Sequence, residues 1–326
     1  MKLRVGLLRR VKVALIIPVI LFTLPLFAFA GGGQHYPNGA EAFLIGIAPP
    51  PGFYIKDYNF FYTADKLKDN SGHTKKLENS GQELDQLTVY GNIPRFIWIT
   101  PLNILGGFYG MHLFVPLLHQ HIDLDVLTPG GPLGLSDRRG GVGDLIYSPF
   151  IWTWHAKDGL LHMIAALDIY LPTGAFNPKR ILNIGKNLWT FEPVFAVTGF
   201  LPPLPDLSAS IKLMYDFNTT NNEAIVNGFK THLTPGQEFH FDYSVEYALT
   251  KSFRLGVTGY FYQQTTDDST GLFGDLKNDK GRVFAIGPGV WYTYKKWFAE
   301  AHVAFETAVR NRPEGVTGLL TITHAF

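Results

Sequence analysis

The chain has 326 residues, of which 46% are apolar, 14% aromatic and only 17% charged. Its 28 basic and 27 acidic residues give a formal charge of +1, without the basic excess that marks a nucleic-acid binder. No cysteine is present, which excludes a disulfide framework and a cysteine-borne lipid anchor.

The N-terminus carries Lys2, Arg4, Arg9, Arg10 and Lys12, then an apolar run from Val13 to Phe27 broken by Pro18 and Pro25. Ala28-Phe29-Ala30 follows, ahead of Gly31-Gly32-Gly33. A basic region, a short apolar region and an A-x-A site read as a secretory signal peptide over residues 1–30. Its removal takes five basic residues and leaves 23 against 27 acidic ones, a net charge of −4. In the rest of the chain no apolar run reaches the roughly 18 residues that suggest a spanning helix.

Residues 31–52 hold Ala48-Pro49-Pro50-Pro51-Gly52 and too much Gly and Pro to pair as a strand. They are expected to form an N-terminal arm, tucked into the lumen near the periplasmic end as a plug. The barrel is expected over residues 53–326. A first strand spans about Phe53 to Tyr62, then a polar loop from Ala64 to Glu83. Strand regions follow at Leu84 to Thr100, Gly106 to Leu118, Val142 to Trp154 and Leu160 to Leu171. Between the middle two, His119 to Gly141 reads as a long loop around Thr128-Pro129-Gly130-Gly131-Pro132. Thr173 to Asn187 is another loop, before strands at Leu188 to Gly199 and Asp206 to Phe217. Asn218 to Gly236 is long and polar.

The clearest pattern comes next. Phe239, Phe241, Tyr243, Val245, Tyr247 and Leu249 alternate with His240, Asp242, Ser244, Glu246 and Ala248. After Thr250-Lys251-Ser252, Phe253, Leu255, Val257, Gly259 and Phe261 alternate with Arg254, Gly256, Thr258, Tyr260 and Tyr262. A period of two over such length means strands with one apolar face. Tilted strands need about 9–11 residues to cross a bilayer. The aromatic face is expected to meet lipid, and the ionisable face water. A polar loop from Gln264 to Lys280 precedes a hairpin of Arg282 to Tyr294 and Trp297 to Val309. The last strand runs from Val316 to Phe326.

The pattern predicts an all-β fold: a transmembrane antiparallel up-and-down β-barrel of about twelve strands. Its connections alternate long and short, as outer-membrane barrels do. Barrels of 8 strands are filled by side chains and those of 16–18 leave an aqueous channel, so twelve predicts a narrow or partly plugged path.

No metalloprotease helix, phosphate loop, EF-hand or nucleophile elbow occurs. Gly141-Val142-Gly143-Asp144 lacks the third glycine and the helix of a dinucleotide loop. His119-Gln120-His121-Ile122-Asp123-Leu124-Asp125 puts two imidazoles and two carboxylates on one side of an extended segment; a divalent-metal site is one reading, but without a closed ligand set the favoured one is a polar strand end at the outer rim. No catalytic, metal or cofactor-binding residue is expected. The candidate lumen residues are His162, Asp168, Lys212, Asp216, His240, Asp242, Glu246, Arg254, Glu300, His302 and Glu306. They fit a polar interior that pairs its charges, or fixed charges along a permeation path.

Several segments carry a family resemblance in order. They are Gly141-Val142-Gly143-Asp144 with Pro149, Tyr170-Leu171-Pro172-Thr173-Gly174, Asn183-Ile184-Gly185-Lys186-Asn187 and Trp189-Thr190-Phe191-Glu192-Pro193. Phe217-Asn218, Gly236-Gln237-Glu238-Phe239-His240, Gly256-Val257-Thr258-Gly259-Tyr260 and Tyr262-Gln263-Gln264-Thr265 continue the series. Asp267-Asp268, Ala285-Ile286-Gly287-Pro288 and Asn311-Arg312-Pro313 complete it. Over nearly the whole mature chain this resembles the Phenol_MetA_deg family of predicted outer-membrane transporters. The resemblance implies a bacterial outer-membrane location and brings no catalytic residues. The terminal Phe326 is similar to the last residue of barrels read by the assembly machinery. The expected partners are outer-membrane lipid, that machinery and a small hydrophobic solute, with no nucleic acid. The expected function is a channel for passive uptake of small hydrophobic or aromatic compounds. The alternatives are an outer-membrane enzyme resembling a lipid hydrolase and a structural or adhesive barrel.

Overall fold

A computed structural model describes residues 35–326. The expected signal peptide and the start of the expected arm fall outside the described residues.

Strand β1 (Gly52–Leu67) is followed by a short helix, α1 (Leu77–Ser80), and by β2 (Gln82–Ile104). Next come β3 (Gly107–Phe114), β4 (Leu117–Thr128), β5 (Gly131–Val142) and β6 (Leu145–Ala156). A turn leads to β7 (Leu161–Leu171), then β8 (Thr190–Leu201) and β9 (Leu204–Asn218). The chain goes on through β10 (Asn221–Val226), β11 (Phe229–Thr234), β12 (Glu238–Thr250) and β13 (Phe253–Gln264). Last are β14 (Asp268–Thr270), β15 (Gly274–Leu276), β16 (Arg282–Tyr294), β17 (Trp297–Arg310) and β18 (Pro313–Ala325).

The wall is a closed antiparallel barrel of twelve strands. β3 with β4 form one wall strand, because both pair with β2 and only Val115-Pro116 separates them. β5 with β6 form the next, interrupted at Gly143-Asp144. Closure comes from β1, which pairs with β2 on one side and β18 on the other. Pairing the first strand with the last leaves no open edge for the ring.

Three expected loops contain strands. His119 to Gly141 is mostly the β4–β5 hairpin, turning at Thr128-Pro129-Gly130-Gly131. The cluster of Gly and Pro marks the turn, and inward Ile122, Leu124 and Val126 bury the arm of the hairpin before it. Asn218 to Gly236 holds β10 and β11, and Gln264 to Lys280 holds β14 and β15. These four short strands form a separate sheet at the long-loop end. Among the described residues the far edge of β5 has no strand partner; the 172–189 segment lies there, through Arg180 and the Leu182 amide on Asp137.

The alternation of side chains around the wall is clean. On β12, Glu238, His240, Asp242, Ser244 and Glu246 are buried, while Val245, Tyr247 and Leu249 are exposed. Val257, Ile286, Val303, Phe305 and Leu320 are likewise exposed. An apolar belt of this kind is untenable in water and is what a bilayer requires. Outward rings also pack across strands, with Phe241 and Phe261 5.3 Å apart and Tyr243 and Phe284 5.9 Å apart.

The inward face does not meet open water at this depth. Ser244 is 1% exposed. The polar face was expected to be hydrated, and the reason it is not is the N-terminal arm.

Candidate functional site

The arm lies inside the barrel, and it runs farther than the expected periplasmic end. Gly46 N–H donates to Thr198 Oγ1 at 2.8 Å, near the short-turn end of β8. At the arm's other end, His35 Nε2 is 2.9 Å from Asp144 Oδ2, and His35 Nδ1 is 2.8 Å from Thr190 Oγ1. Both partners stand near the long-loop end. Tyr36, Ala40, Ala42, Phe43, Ile45 and Ala48 are buried against the wall.

A segment that is not a strand carries backbone amides with no ladder to satisfy them. Wall carboxylates supply the acceptors. Asp242 takes the Gly39 amide at 2.9 Å, the Glu41 amide at 3.2 Å and the Tyr36 hydroxyl at 2.5 Å. Glu246 takes the Leu44 amide at 3.2 Å, and the Ser208 and Ser244 hydroxyls. His302 Nε2–H donates to the Gly39 carbonyl at 2.9 Å. Gly39 has φ +76°, and a Cβ there would lie 2.6 Å from the Tyr260 ring. Only glycine fits that conformation and that approach.

The arm returns one carboxylate to the wall. Glu41 accepts from Lys56 Nζ at 2.9 Å, Arg95 at 2.9 Å and the Tyr58 hydroxyl at 2.6 Å. Arg95 reaches on to His112 Nδ1 at 2.8 Å, and His112 Nε2 stands 2.9 Å from Asp168. A buried charge is costly unless paired, and this chain of contacts pairs each of its members.

The sequence-derived residues all fall on inward positions but not in one cluster. Asp242, Glu246 and His302 hold the arm. Lys212 sits 4.4 Å above the Tyr36 ring, and Glu300 stands 3.5 Å from His302. Asp168 ends the Glu41 relay. Asp216 and His240 lie beside Glu192, which sequence reasoning missed. Glu306 accepts from the Tyr62 and Tyr260 hydroxyls and from the Gly315 amide, in the long-loop half. Arg254 and His162 stand apart at the short-turn mouth. Arg254 donates to Ser208, and His162 contacts His155 at 2.6 Å. At the rim, His121 is 3.3 Å from Asp123.

Above the arm is a cavity of about 480 Å³, the size of a small-ligand site. Phe60, Leu87, Val89, Ile146, Phe176 and Ile184 are among its apolar lining. His35 and Tyr36 line its arm side, and Lys186, Glu306 and Arg312 supply charge. Burial pushes the Lys186 ammonium below its ordinary value, against the pull of Glu238 and Asp144.

The 172–189 segment closes over this cavity, and Asp144 latches it. One carboxylate takes the Gly174 amide at 2.8 Å, the Lys186 amide at 2.7 Å and His35. Gly174 and Gly185 meet backbone to backbone, where a Cβ on Gly185 would lie 2.4 Å from the Gly174 carbonyl oxygen. The separated stretches 141–144, 172–174 and 183–187 therefore converge on one carboxylate. Burial raises the Asp144 carboxyl, but His35 and the two amides outweigh it and hold it below its ordinary range.

The sequence model of a family described as "Putative MetA-pathway of phenol degradation" matches residues 64–322. No curated protein matches the chain. Among solved structures, the COG4313 outer membrane channel from Pseudomonas putida F1 superposes with a TM-score of 0.66 at 17% identity, covering 86% of this chain and 97% of that one. The transport unit of the autotransporter AIDA-I from Escherichia coli does so at 0.50 and 11% identity, covering 87% and 94%. Both likenesses concern the barrel fold.

Proposed function

Because the chain belongs to the family of the putative MetA pathway of phenol degradation, we propose that it is an outer-membrane channel for passive uptake of small hydrophobic or aromatic compounds. The barrel with its lipid-facing belt belongs in a bacterial outer membrane. The observation that carries the solute class is the cavity of about 480 Å³ above the arm. Its wall is mostly aliphatic and aromatic, with polar and charged groups set among them, including His35, Asp144, Lys186, Glu306 and Arg312. That is the composition of a site for a small apolar ligand oriented by one or two hydrogen bonds. The path below it is filled by the arm, so free flow of hydrated ions is not expected. The channel named among the similar structures supports the reading by analogy of fold. Among the described residues no serine hydroxyl is hydrogen-bonded to a histidine, so the hydrolase alternative has no observation behind it.

The test uses porin-deficient Gram-negative cells that produce the protein. Uptake of a labelled monocyclic aromatic solute should exceed that of cells with the empty vector. Val89→Trp, which fills the cavity, should reduce the gain several-fold while the barrel still inserts. Equal uptake with and without the protein would refute the proposal.

A further inference from the structure

Glu192 on β8, Asp216 on β9 and His240 on β12 come from three neighbouring wall strands. Register brings them together. Asp216 faces Glu238 across the β9–β12 pair, and Met214 faces His240 there and Val194 on β8. All three side chains are 0% exposed. One donor atom from each lies within 4.8 Å of the other two.

His240 Nε2 is 3.5 Å from a Glu192 oxygen and 3.4 Å from an Asp216 oxygen. That is long for a charge-assisted hydrogen bond, which runs about 2.7–2.9 Å. Neither ring nitrogen of His240 makes a hydrogen bond, nor does either Asp216 oxygen or Glu192 Oε1. Ligand bonds of about 2.0–2.2 Å at tetrahedral angles put neighbouring donors about 3.4 Å apart. The two separations from His240 Nε2, 3.5 and 3.4 Å, match that spacing, and the third lies within 4.8 Å.

We propose that Glu192, Asp216 and His240 form a binding site for a first-row divalent cation of the Zn²⁺ type. The imidazole argues against Ca²⁺ and Mg²⁺, which take oxygen ligands. The Tyr170 hydroxyl donates to Glu192 Oε2 at 3.0 Å and orients it, as outer partners of metal-bound carboxylates do. Glu238 stands two residues before His240 on the same inward face, buried, with neither carboxylate oxygen hydrogen-bonded. It is a candidate for a fourth corner, which water otherwise fills. The cation would tie β8, β9 and β12 together and neutralise their buried carboxylates.

The experiment loads the full mature protein, purified in detergent and stripped with chelator, with Co²⁺ as the probe. Equilibrium dialysis with metal analysis should find about one equivalent per chain. The visible d–d bands of four-coordinate Co²⁺ should appear and should fade on addition of Zn²⁺. His240→Gln should lose both, while heat-modifiable gel migration shows the barrel folded. His119→Gln with His121→Gln, at the rim, should keep both. The isosteric Glu192→Gln and Asp216→Asn serve if His240→Gln does not fold. Folded wild-type protein that takes up no stoichiometric metal would overturn the proposal. Uptake unchanged in the folded site variants would overturn it too.

Discussion

Asp144 is a single carboxylate that holds the arm and the 172–189 segment at once, through His35, Gly174 and Lys186. Its carboxyl titrates below a free aspartate when folded, so its contribution is fully present above the unfolded value of about 3.9. The contribution is lost as pH falls through the depressed folded value. Pepsin should therefore spare the 172–189 segment of the detergent-solubilised protein down to about pH 4 and cut it only in stronger acid. Asp144→Asn should be cut near pH 5, with the barrel intact. Identical cleavage profiles for the two proteins would remove Asp144 as the latch. The sequence showed the surrounding glycines and the missing helix, which excluded a nucleotide loop. It could not show the partners, which lie about 30 and 42 residues downstream and on the arm. The inward polar residues were legible because parity along a strand fixes direction. Glu41, Lys56, Arg95 and His112 were missed because arm-to-wall pairing has no period. Glu192 carried a readable sign: it is the one ionisable residue of β8 and alternates with Phe191 and Pro193.

At the scale of the strand, the outward face of β12 meets lipid and the inward face meets packed protein. Val245→Arg puts a cation in the lipid-facing belt and should cost about 2–4 kcal/mol if it lies near the midplane. Urea titration of the barrel in lipid vesicles reads the loss. Ser244→Arg would be mild in a hydrated lumen. In this one it should be severe as well, since Ser244 is buried beside Glu246 and the arm. Ser252→Arg, in the exposed turn, is the substitution that should leave the midpoint unchanged. A mild Ser244→Arg would mean that water reaches that depth. The twelve wall strands were legible because each is long and most alternate, although the alternation is poor in β1 and Pro94 interrupts it in β2. The β4–β5 hairpin was not, because Thr128-Pro129-Gly130-Gly131-Pro132 dominates its composition and the strands beside it continue other wall strands.

For the whole molecule, the arm turns an intermediate barrel into a narrow one. A twelve-stranded wall encloses more room than its own side chains fill, and the arm occupies the remainder down to the short-turn end. It also masks the character of the wall. Asp168, Glu192, Asp216, Glu238, Asp242, Glu246, Glu300 and Glu306 face inward, against Lys56, Arg95, Lys212, Arg254 and Arg312. In the intact protein, arm amides, the Tyr36 hydroxyl and mutual contacts occupy several of these carboxylates. Deleting residues 35–50 behind an intact leader should let water in and free them. The barrel should still close, because the β1–β2 and β1–β18 ladders begin at Gly52 and Tyr54. Single-channel conductance in planar bilayers should rise several-fold, and a salt gradient should give a reversal potential of the sign for cation selectivity. Selectivity among aromatic solutes should fall, since the cavity loses the side formed by His35 and Tyr36. A deletion protein that inserts normally and conducts like the parent would show that the arm is not the constriction. One that opens but prefers anions would place the controlling charge on Lys56 and Arg95, released from Glu41, instead of on the wall carboxylates.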